Sequence, residues 1–486
     1  MTNRRPEHAR WALVLGAGRQ GASLARFYAR RGARVVVNDR RPARDLAAAW
    51  ADLAAVRATW VTGGHPAFLL QGPEVVAVSG GVPLQMPLVV AARARGLPVV
   101  SDAGLFFAEA PCPTVGITGS AGKTTTTTLV GRMVASAARE ARGIAYSQED
   151  ATPNSAAPRP KRFRRAWVGG NIGNPLLHEV FDMRGDDVAV MEVSSFQLEV
   201  AHASPRVAVV LNITPNHLDR HGTMDAYIAA KARILAFQRA DDVAILGWED
   251  PNAWGLRAQV RGRLIGFGLT PPPAGVEGVY LRADMFVWRA ANGGEEPLLP
   301  ASVVALRGRH NRLNVAAALA VARALGLEPG HMRAGVEGFT GVPHRLELVR
   351  LHRGVAWYND SIATSPARVL AALASFEQEP IVLLAGGRDK NLPWDAFAQA
   401  VRQRVQHLIL FGEAAHLIRA AVEAAEGPGP QTLTVVPDLA TAVRRAAALA
   451  EPGAVVLLSP GCASFDQFRN FAERGEKFRQ WVHALP

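Results

Sequence analysis

The chain has 486 residues, 49% of them hydrophobic and 20% charged, which is enough for about three domains with buried cores. No apolar run reaches the roughly 18 residues that a membrane helix needs, the polar, arginine-bearing N-terminus has no apolar leader core, and Cys112 and Cys462 make neither a disulfide framework nor a CxxC metal site. A cytoplasmic monomer with no membrane partner is expected; the net charge of +12 comes mostly from scattered arginines, which speaks for anionic small substrates and against a nucleic-acid face.

Of the 54 basic residues only five are lysines, at positions 123, 161, 231, 390 and 477, and the other 49 are arginines. Where arginine serves almost every generic positive charge, a lysine marks a position that needs a primary amine. Lys123, Lys231 and Lys390 become candidates on that ground alone.

Trp11–Leu15 reads as a strand, Gly16-x-Gly18-x-x-Gly21 turns it into a helix over 22–31, and a second strand, Val35–Asp39, ends in an acid. By itself this is a dinucleotide fingerprint with Asp39 set to accept from a ribose hydroxyl, although the same unit serves any diphosphate or nucleotide. A strand over Val75–Val78 runs into Ser79-Gly80-Gly81, where Gly81 allows close backbone approach to a ligand. Pro98–Asp102 is read as the last strand of a first unit ending near residue 108.

The second unit opens on a buried strand, Thr114–Ile117, followed by Gly119-Ser120-Ala121-Gly122-Lys123-Thr124-Thr125 and a helix. Glycines let backbone N–H groups crowd a polyphosphate, the helix N-terminus adds its positive dipole end, Lys123 reaches terminal phosphates and the Thr124 hydroxyl ligates Mg2+. The spacing departs from GxxxxGK[ST], because Ile117 stands five places before Gly122; Gly116 and Gly119 supply the glycines instead. Residues 137–166, with Pro153, Pro158, Pro160 and the basic run Lys161–Arg165, read as a solvated insertion. Gly169–Gly173 is a tight turn carrying Asn171. The apolar strand Asp187–Val193 presents Glu192, the usual placement of a Mg2+ carboxylate beside a phosphate loop.

Val207–Ile213 delivers His217 and Asp219 past a strand end, and a helix capped by Thr223 carries Lys231. Residues 243–310 read as short strands and turns. An alanine-rich helix then starts at Gly308 with Asn311 and Asn314 on one face. From Val342 a third unit follows, with Asp360, Gly386–Lys390, Gly412 and Ser459–Phe468 at the ends of successive strands of a doubly wound sheet.

Taken together, Thr118–Thr124, Gly170–Gly173, Glu192-Val-Ser-Ser-Phe-Gln-Leu198, Asn216–Asp219, Lys231, His310–Asn314, His344-Arg345, Asn359-Asp-Ser361 and Ser459-Pro-Gly-Cys-Ala-Ser-Phe-Asp-Gln-Phe468 resemble the motifs of the Mur ligases, in the right order across all three units. Ser194–Leu198 and Ser459–Phe468 are similar in particular to the family member that handles glutamate. The resemblance implies an α/β protein of three domains: a Rossmann-like UDP-substrate domain over 1–108, a central P-loop-type ATPase domain over 109–342, and a C-terminal doubly wound Rossmann-like domain over 343–486 that binds the amino acid.

It also implies an ATP-dependent amide ligase adding D-glutamate to UDP-N-acetylmuramoyl-L-alanine through an acyl phosphate, in peptidoglycan precursor synthesis. Its rivals are a sister enzyme using L-glutamate, a folylpolyglutamate-synthetase-like ligase, a P-loop NTPase switch, and an NAD-dependent oxidoreductase that would bind its cofactor in the first unit. By position, Arg19, Gln20, Asp39, Arg40, Gly81 and Asn171 would hold the UDP substrate. Gly119, Ser120, Ala121, Gly122, Lys123, Thr124, Thr125, Asn311, Asn314, Arg345 and Asp360 would hold ATP, and Thr364, Lys390, Ser464, Phe465 and Phe471 the amino acid. Two Mg2+ ions would sit among Thr124, Glu192, His217 and Lys231, with Lys231 carrying a CO2-derived carbamate, and Lys123, His217 and Lys231 would be the catalytic set. The family motif Asn-Asp-Ser-Lys-Ala-Thr reads Asn359-Asp-Ser-Ile362-Ala-Thr364 in this chain.

Overall fold

The computed structural model describes residues 5–144, 163–171, 173–376 and 378–486. They form three separate sheets. The first holds β1 (Trp11–Leu15), β2 (Arg34–Asp39), β3 (Ala58–Thr62), β4 (Val75–Val78) and β5 (Val99–Val100) in the order β3-β2-β1-β4-β5, all parallel. The second holds β6 (Thr114–Thr118), β7 (Ala166–Gly170), β8 (Val188–Glu192), β9 (Val207–Val210), β10 (Val243–Gly247), β11 (Arg263–Phe267), β12 (Glu277–Arg282), β13 (Met285–Arg289) and β14 (Glu295–Pro300). Its order is β14-β13-β12-β11-β10-β9-β6-β8-β7, and only the β12-β13-β14 edge is antiparallel. The third contains β15 (Glu347–His352), β16 (Val355–Asn359), β17 (Ile381–Gly386), β18 (Val405–Phe411), β19 (Thr432–Val436) and β20 (Val455–Gly461), ordered β15-β16-β20-β17-β18-β19. Edge strand β15 is antiparallel to β16, so the sheet is mixed where the sequence reads as uniformly wound.

The apolar runs explain this architecture. Strands such as β6, β8 and β17 are buried on both faces, as in parallel sheets covered by helices, so they read as continuous Val, Ile and Leu rather than alternating. In both sheets of the N-terminal half the strand order reverses beside the first strand, at β1/β4 and at β6/β9, and ligand crevices open at the carboxyl ends of strands at such points.

The chain falls into two compact units, one of Met1–Val304 with His310–Glu337 and one of Ala305–Arg309 with Gly338–Pro486. The first two sheets share the first unit because one apolar core, including Phe27, Phe106, Leu198 and Tyr227, runs between them. Among the described residues no helix is long and apolar enough to cross a membrane.

Several local readings are corrected. The helix after the phosphate loop spans Lys123–Ile144, so residues 137–144 belong to it and not to an insertion; the alanine-rich run from Ala135 favours helix strongly. Of the expected insertion, residues 145–162 lie outside the described residues, whereas Ala166 already begins β7. The strand expected over 98–102 shrinks to Val99–Val100, because the Ser101 hydroxyl accepts from Gly104 N and caps the helix Asp102–Glu109. Strand β9 stops at Val210, where Leu211 N donates to Thr118 O and the chain turns onto the phosphate loop.

Candidate active site

The loop between β6 and the helix Lys123–Ile144 is clamped from one side. Ser120 N donates to Asn212 O (2.9 Å), Ala121 N donates to the Asn212 side-chain carbonyl (2.9 Å), and the Ser120 hydroxyl donates to Thr214 O (2.9 Å). Gly122 sits at φ +84°, and a Cβ there would lie 2.1 Å from Asn314 Oδ1. The glycine is therefore needed twice, for its left-handed backbone and for the approach of Asn314 from the helix Arg309–Leu325. Asn314 Nδ2 donates in turn to Asn311 Oδ1 at 3.1 Å, so the two amides act on one face, as their i, i+3 spacing predicts. Thr125 is buried in the first turn of the loop helix.

Two primary amines converge on one carbonyl. Lys123 Nζ donates to Gly119 O at 2.8 Å and Lys231 Nζ donates to the same oxygen at 3.0 Å. Lys231 is fully buried against the Tyr227 ring, with its nitrogen 4.7 Å from the ring centroid. Burial pushes its amine well below the ordinary lysine value and the Lys123 charge adds to this, with Glu192 opposing. Lys231 is thus held toward the neutral, nucleophilic amine.

Glu192, at the end of β8, ties two regions together. Its Oε2 accepts from the Thr124 hydroxyl (2.8 Å), its Oε1 from Asn171 Nδ2 (3.2 Å), and its carbonyl from Asn171 N (2.8 Å). Asn171 also lines a cleft of about 140 Å³ together with Arg19, Gln20, Ser79, Gly170 and Pro175. Arg19 donates to Gly173 O at 2.8 Å and Gln20 Oε1 accepts from Gly80 N at 2.8 Å. A Cβ on Gly81 would meet nothing within 4 Å, so that position is open.

Asp39 has a structural task at the end of β2. Its two oxygens accept from Ala17 N, Arg41 N and the Arg41 guanidinium, all at 2.9–3.0 Å. Burial alone would raise its pKa, but these hydrogen bonds outweigh it and hold the carboxyl at about 2. The acid therefore braces the turn after β1, and Arg40 beside it is exposed.

His217 is exposed at φ 55°, a left-handed conformation that costs a non-glycine residue energy and collects at functional positions. Phe196 meets the His217 ring edge-on (5.2 Å) and stacks flat on His221 (5.2 Å, 4°). His221 in turn contacts Ser195 Oγ (3.0 Å) and Glu199 Oε1 (3.1 Å). The Ser194–Leu198 string has a structural reason as well: Ser194 and Gln197 form a reciprocal cap, and Gln197 Nε2 donates to both oxygens of buried Asp102 (2.9 and 3.1 Å), pinning the first sheet's last helix to the second sheet.

In the second compact unit, buried Asp360 accepts from Ser459 Oγ (2.8 Å) and Leu346 N (3.2 Å). Burial pushes its carboxyl up to about 7, against these bonds and the pull of Arg345 and Arg368. Arg474, fully buried, donates to Ser361 Oγ, Ser361 O and Cys462 O at 3.0, 2.9 and 3.1 Å and so binds the ends of β16 and β20 together. Desolvation and then the neighbouring Arg368 lower the Lys390 amine. Ser464 is buried while Phe465 and Phe471 are exposed, and the Phe471 carbonyl accepts from Ser361 Oγ (2.8 Å). Thr364 N donates to Ile362 O (2.9 Å), and the same carbonyl accepts from Arg368 Nη1 (2.9 Å).

Models of three domain families cover the chain in order: "Mur ligase MurD-like, N-terminal domain" over residues 10–101, "Mur ligase middle domain" over 117–322 and "Mur ligase, glutamate ligase domain" over 344–462. A relative from Symbiobacterium thermophilum is 40% identical over 98% of both chains, and one from Anaeromyxobacter dehalogenans is 41% identical over 96% of both. The chain belongs to the Mur ligase family. Both relatives carry the name UDP-N-acetylmuramoylalanine--D-glutamate ligase. Among solved structures, the Mur ligase fold is shared with the UDP-N-acetylmuramate-alanine ligase of Thermotoga maritima (17% identity, TM-score 0.53, covering 98% of this chain and 100% of that one). It is shared also with a pseudomurein peptide ligase type C of Methanothermus fervidus (18%, TM-score 0.52, 98% and 100%). As a Mur ligase the protein is an ATP-dependent enzyme that forms carbon–nitrogen bonds.

Sequence reasoning missed Asn212, Tyr227, Asp102 and Arg474. Asn212 follows β9 by two residues and could have been found as a polar residue past a strand end; Arg474 lies in a helix of mixed charge and gave no signal.

Proposed function

We propose that this Mur ligase joins D-glutamate to the alanine carboxylate of UDP-N-acetylmuramoyl-L-alanine, in the cytoplasm and as a monomer. The domain spans 1–108, 109–342 and 343–486 divide the work among UDP substrate, ATP and amino acid. The observation that carries the reading is Glu192: one carboxylate accepts from Thr124 of the phosphate loop and from Asn171 of the cleft with Arg19 and Gln20. A γ-phosphate on the loop and a carboxylate entering from the cleft thus converge on a single residue.

The reaction starts when an alanine carboxylate oxygen attacks the γ-phosphorus and ADP leaves, giving an acyl phosphate. The glutamate amine then attacks the acyl carbon, loses a proton and expels phosphate. The first step brings two anions together, so its barrier is electrostatic. Lys123, with its amine at Gly119 O, is placed to neutralise the transferring phosphoryl group. The oxygen donors Thr124 and Glu192, 2.8 Å apart, fit Mg2+, as does exposed His217 for a second ion; bound Mg2+ would supply charge neutralisation of the triphosphate. Lys231 fits a carbamate because addition of CO2 needs a neutral primary amine, which burial favours here and arginine could not provide; the carbamate would supply a further anionic oxygen donor. Lys390, Thr364, Ser464, Phe465 and Phe471 receive glutamate.

The test is phosphate release by purified protein with ATP, Mg2+ and UDP-N-acetylmuramoyl-L-alanine, adding D-glutamate, L-glutamate or neither. Release that depends on D-glutamate is expected. Dependence on L-glutamate would move the enzyme to a sister specificity, and release indifferent to sugar and amino acid would overturn ligase action.

A further inference from the structure

The carboxyl ends of β16, β20 and β17, three neighbouring parallel strands of the second compact unit, are laced into one edge. Gly461 N donates to Ala363 O (2.8 Å), and Arg388 and Ala463 exchange both backbone bonds (2.9 and 3.0 Å). Ligands of open α/β sheets gather at such edges. This one carries Arg345, Arg368 and Lys390, and among the described residues none of the three forms an ion pair, whereas Arg388 next to them is paired with Glu413 at 2.9 Å. Asp389, beside Lys390 in sequence, accepts instead from Asn391 N (2.8 Å) and Trp394 Nε1 (3.3 Å). Asp360 does not balance three positive charges either: burial holds its carboxyl at about 7, so at that pH it is half protonated.

Arg368 is the cation that the rest surround. It is exposed, yet partial desolvation and then the Arg345 charge lower its guanidinium, with Asp360 opposing, and its own charge follows desolvation in lowering Lys390. One corner of the guanidinium is fixed: Nη1 donates to Ile362 O at 2.9 Å, while Nε and Nη2 have no partner among the described residues. Nε and Nη2 are the side-on pair of donors that takes a carboxylate bidentately. Ile362 stands where the family motif has a lysine, so this position brings no charge of its own and contributes its carbonyl as the anchor of Arg368.

We propose that Arg368 binds one carboxylate of the incoming glutamate through Nε and Nη2, beside Lys390, and so supplies the positive charge that Ile362 does not. Glutamate carries two carboxylates, and holding both on cations leaves its amine free to attack the acyl carbon. The inference rests on the proposed ligase function and adds a specificity residue to its amino-acid site.

The test is steady-state phosphate release by the full chain at saturating ATP and UDP-N-acetylmuramoyl-L-alanine, with glutamate of the hand the wild type uses as the varied substrate. Arg368→Gln keeps an amide donor for Ile362 O and removes only the charge; it should raise KM for glutamate at least about tenfold and leave KM for ATP and for the UDP substrate within about twofold. Arg368→Ala should match it. Returning the charge from the neighbouring position, in Ile362→Lys with Arg368→Gln, should bring KM for glutamate back to within about threefold of the wild type. A glutamate-dependent wild type whose KM for glutamate is unmoved in Arg368→Gln overturns the inference alone, as does an equal rise in KM for ATP. A double variant no better than Arg368→Gln also overturns it, because a merely structural bond to Ile362 O would not be repaired by a lysine. Release by the wild type that ignores glutamate overturns the ligase function and this inference together.

Discussion

Replacing Asp360 with asparagine makes the cost of its burial visible. In the folded chain this carboxyl sits at about 7, and unfolded it returns to about 3.8. A raised folded pKa means that the native state binds the proton more tightly, so its contribution to stability is complete below about 3.8, falls as pH rises, and is gone above about 7. Between pH 5 and pH 7 two units are crossed, and at about 1.36 kcal/mol per unit the wild type loses about 2.7 kcal/mol. Asparagine keeps both bonds, accepting from Leu346 N and donating to the Ser459 hydroxyl, and does not titrate. Denaturant unfolding of both proteins at about pH 5 and about pH 8 should therefore show Asp360→Asn gaining roughly 2–3 kcal/mol on the wild type over that interval. Asp102, pushed up to about 6 by its own burial, titrates in both proteins and cancels. A difference that stays within about 0.5 kcal/mol between the two pH values would refute the assignment of a buried, largely protonated carboxyl.

Other substitutions test the site residue by residue. Lys231→Arg and Lys231→Ala should both be nearly inactive, and a small carboxylate such as acetate should restore part of the Ala variant's activity but not the Arg variant's; rescue of neither, or wild-type turnover in either, contradicts the carbamate. Gly122→Ala must adopt φ +84° at a cost of about 1–2 kcal/mol and push Asn314 from 2.1 Å, so kcat should fall at least about tenfold with a raised KM for ATP, measured by steady-state phosphate release. Asn171→Ala removes a hydrogen bond to Glu192 and a wall of the cleft, and should raise KM for the UDP substrate by about tenfold while leaving that for ATP within about twofold.

Much of this was legible in the residues. The three strand-turn-helix starts, the glycine turn before Lys123, the carboxylate closing β8 and the Asn311/Asn314 face all depend on local sequence, and all stand where the pattern puts them. The lysine count singled out Lys231 before any geometry, and its burial supplies the physical reason. What stayed hidden depends on partners distant in sequence. Asp39 ends its strand as a ribose acceptor would, and its hydrogen bonds from Arg41 and Ala17 are not visible in that pattern. Asn212 grips the phosphate loop from 91 residues away, and Gln197 reaches Asp102 across 95. Strands β3, β7 and β19 were missed because their half-exposed or glycine-bearing runs lack the apolar density of the central strands.

The central claim, that a carboxylate from the cleft attacks the phosphate held on the Gly119–Thr124 loop, is tested most directly with UDP-N-acetylmuramoyl-L-alanine carrying 18O in its alanine carboxylate. Acyl phosphate formation followed by amide synthesis moves one carboxylate oxygen into the released phosphate, so inorganic phosphate should gain one 18O per D-glutamate incorporated. Phosphate free of label, with both 18O atoms absent from it while amide accumulates, would contradict the account.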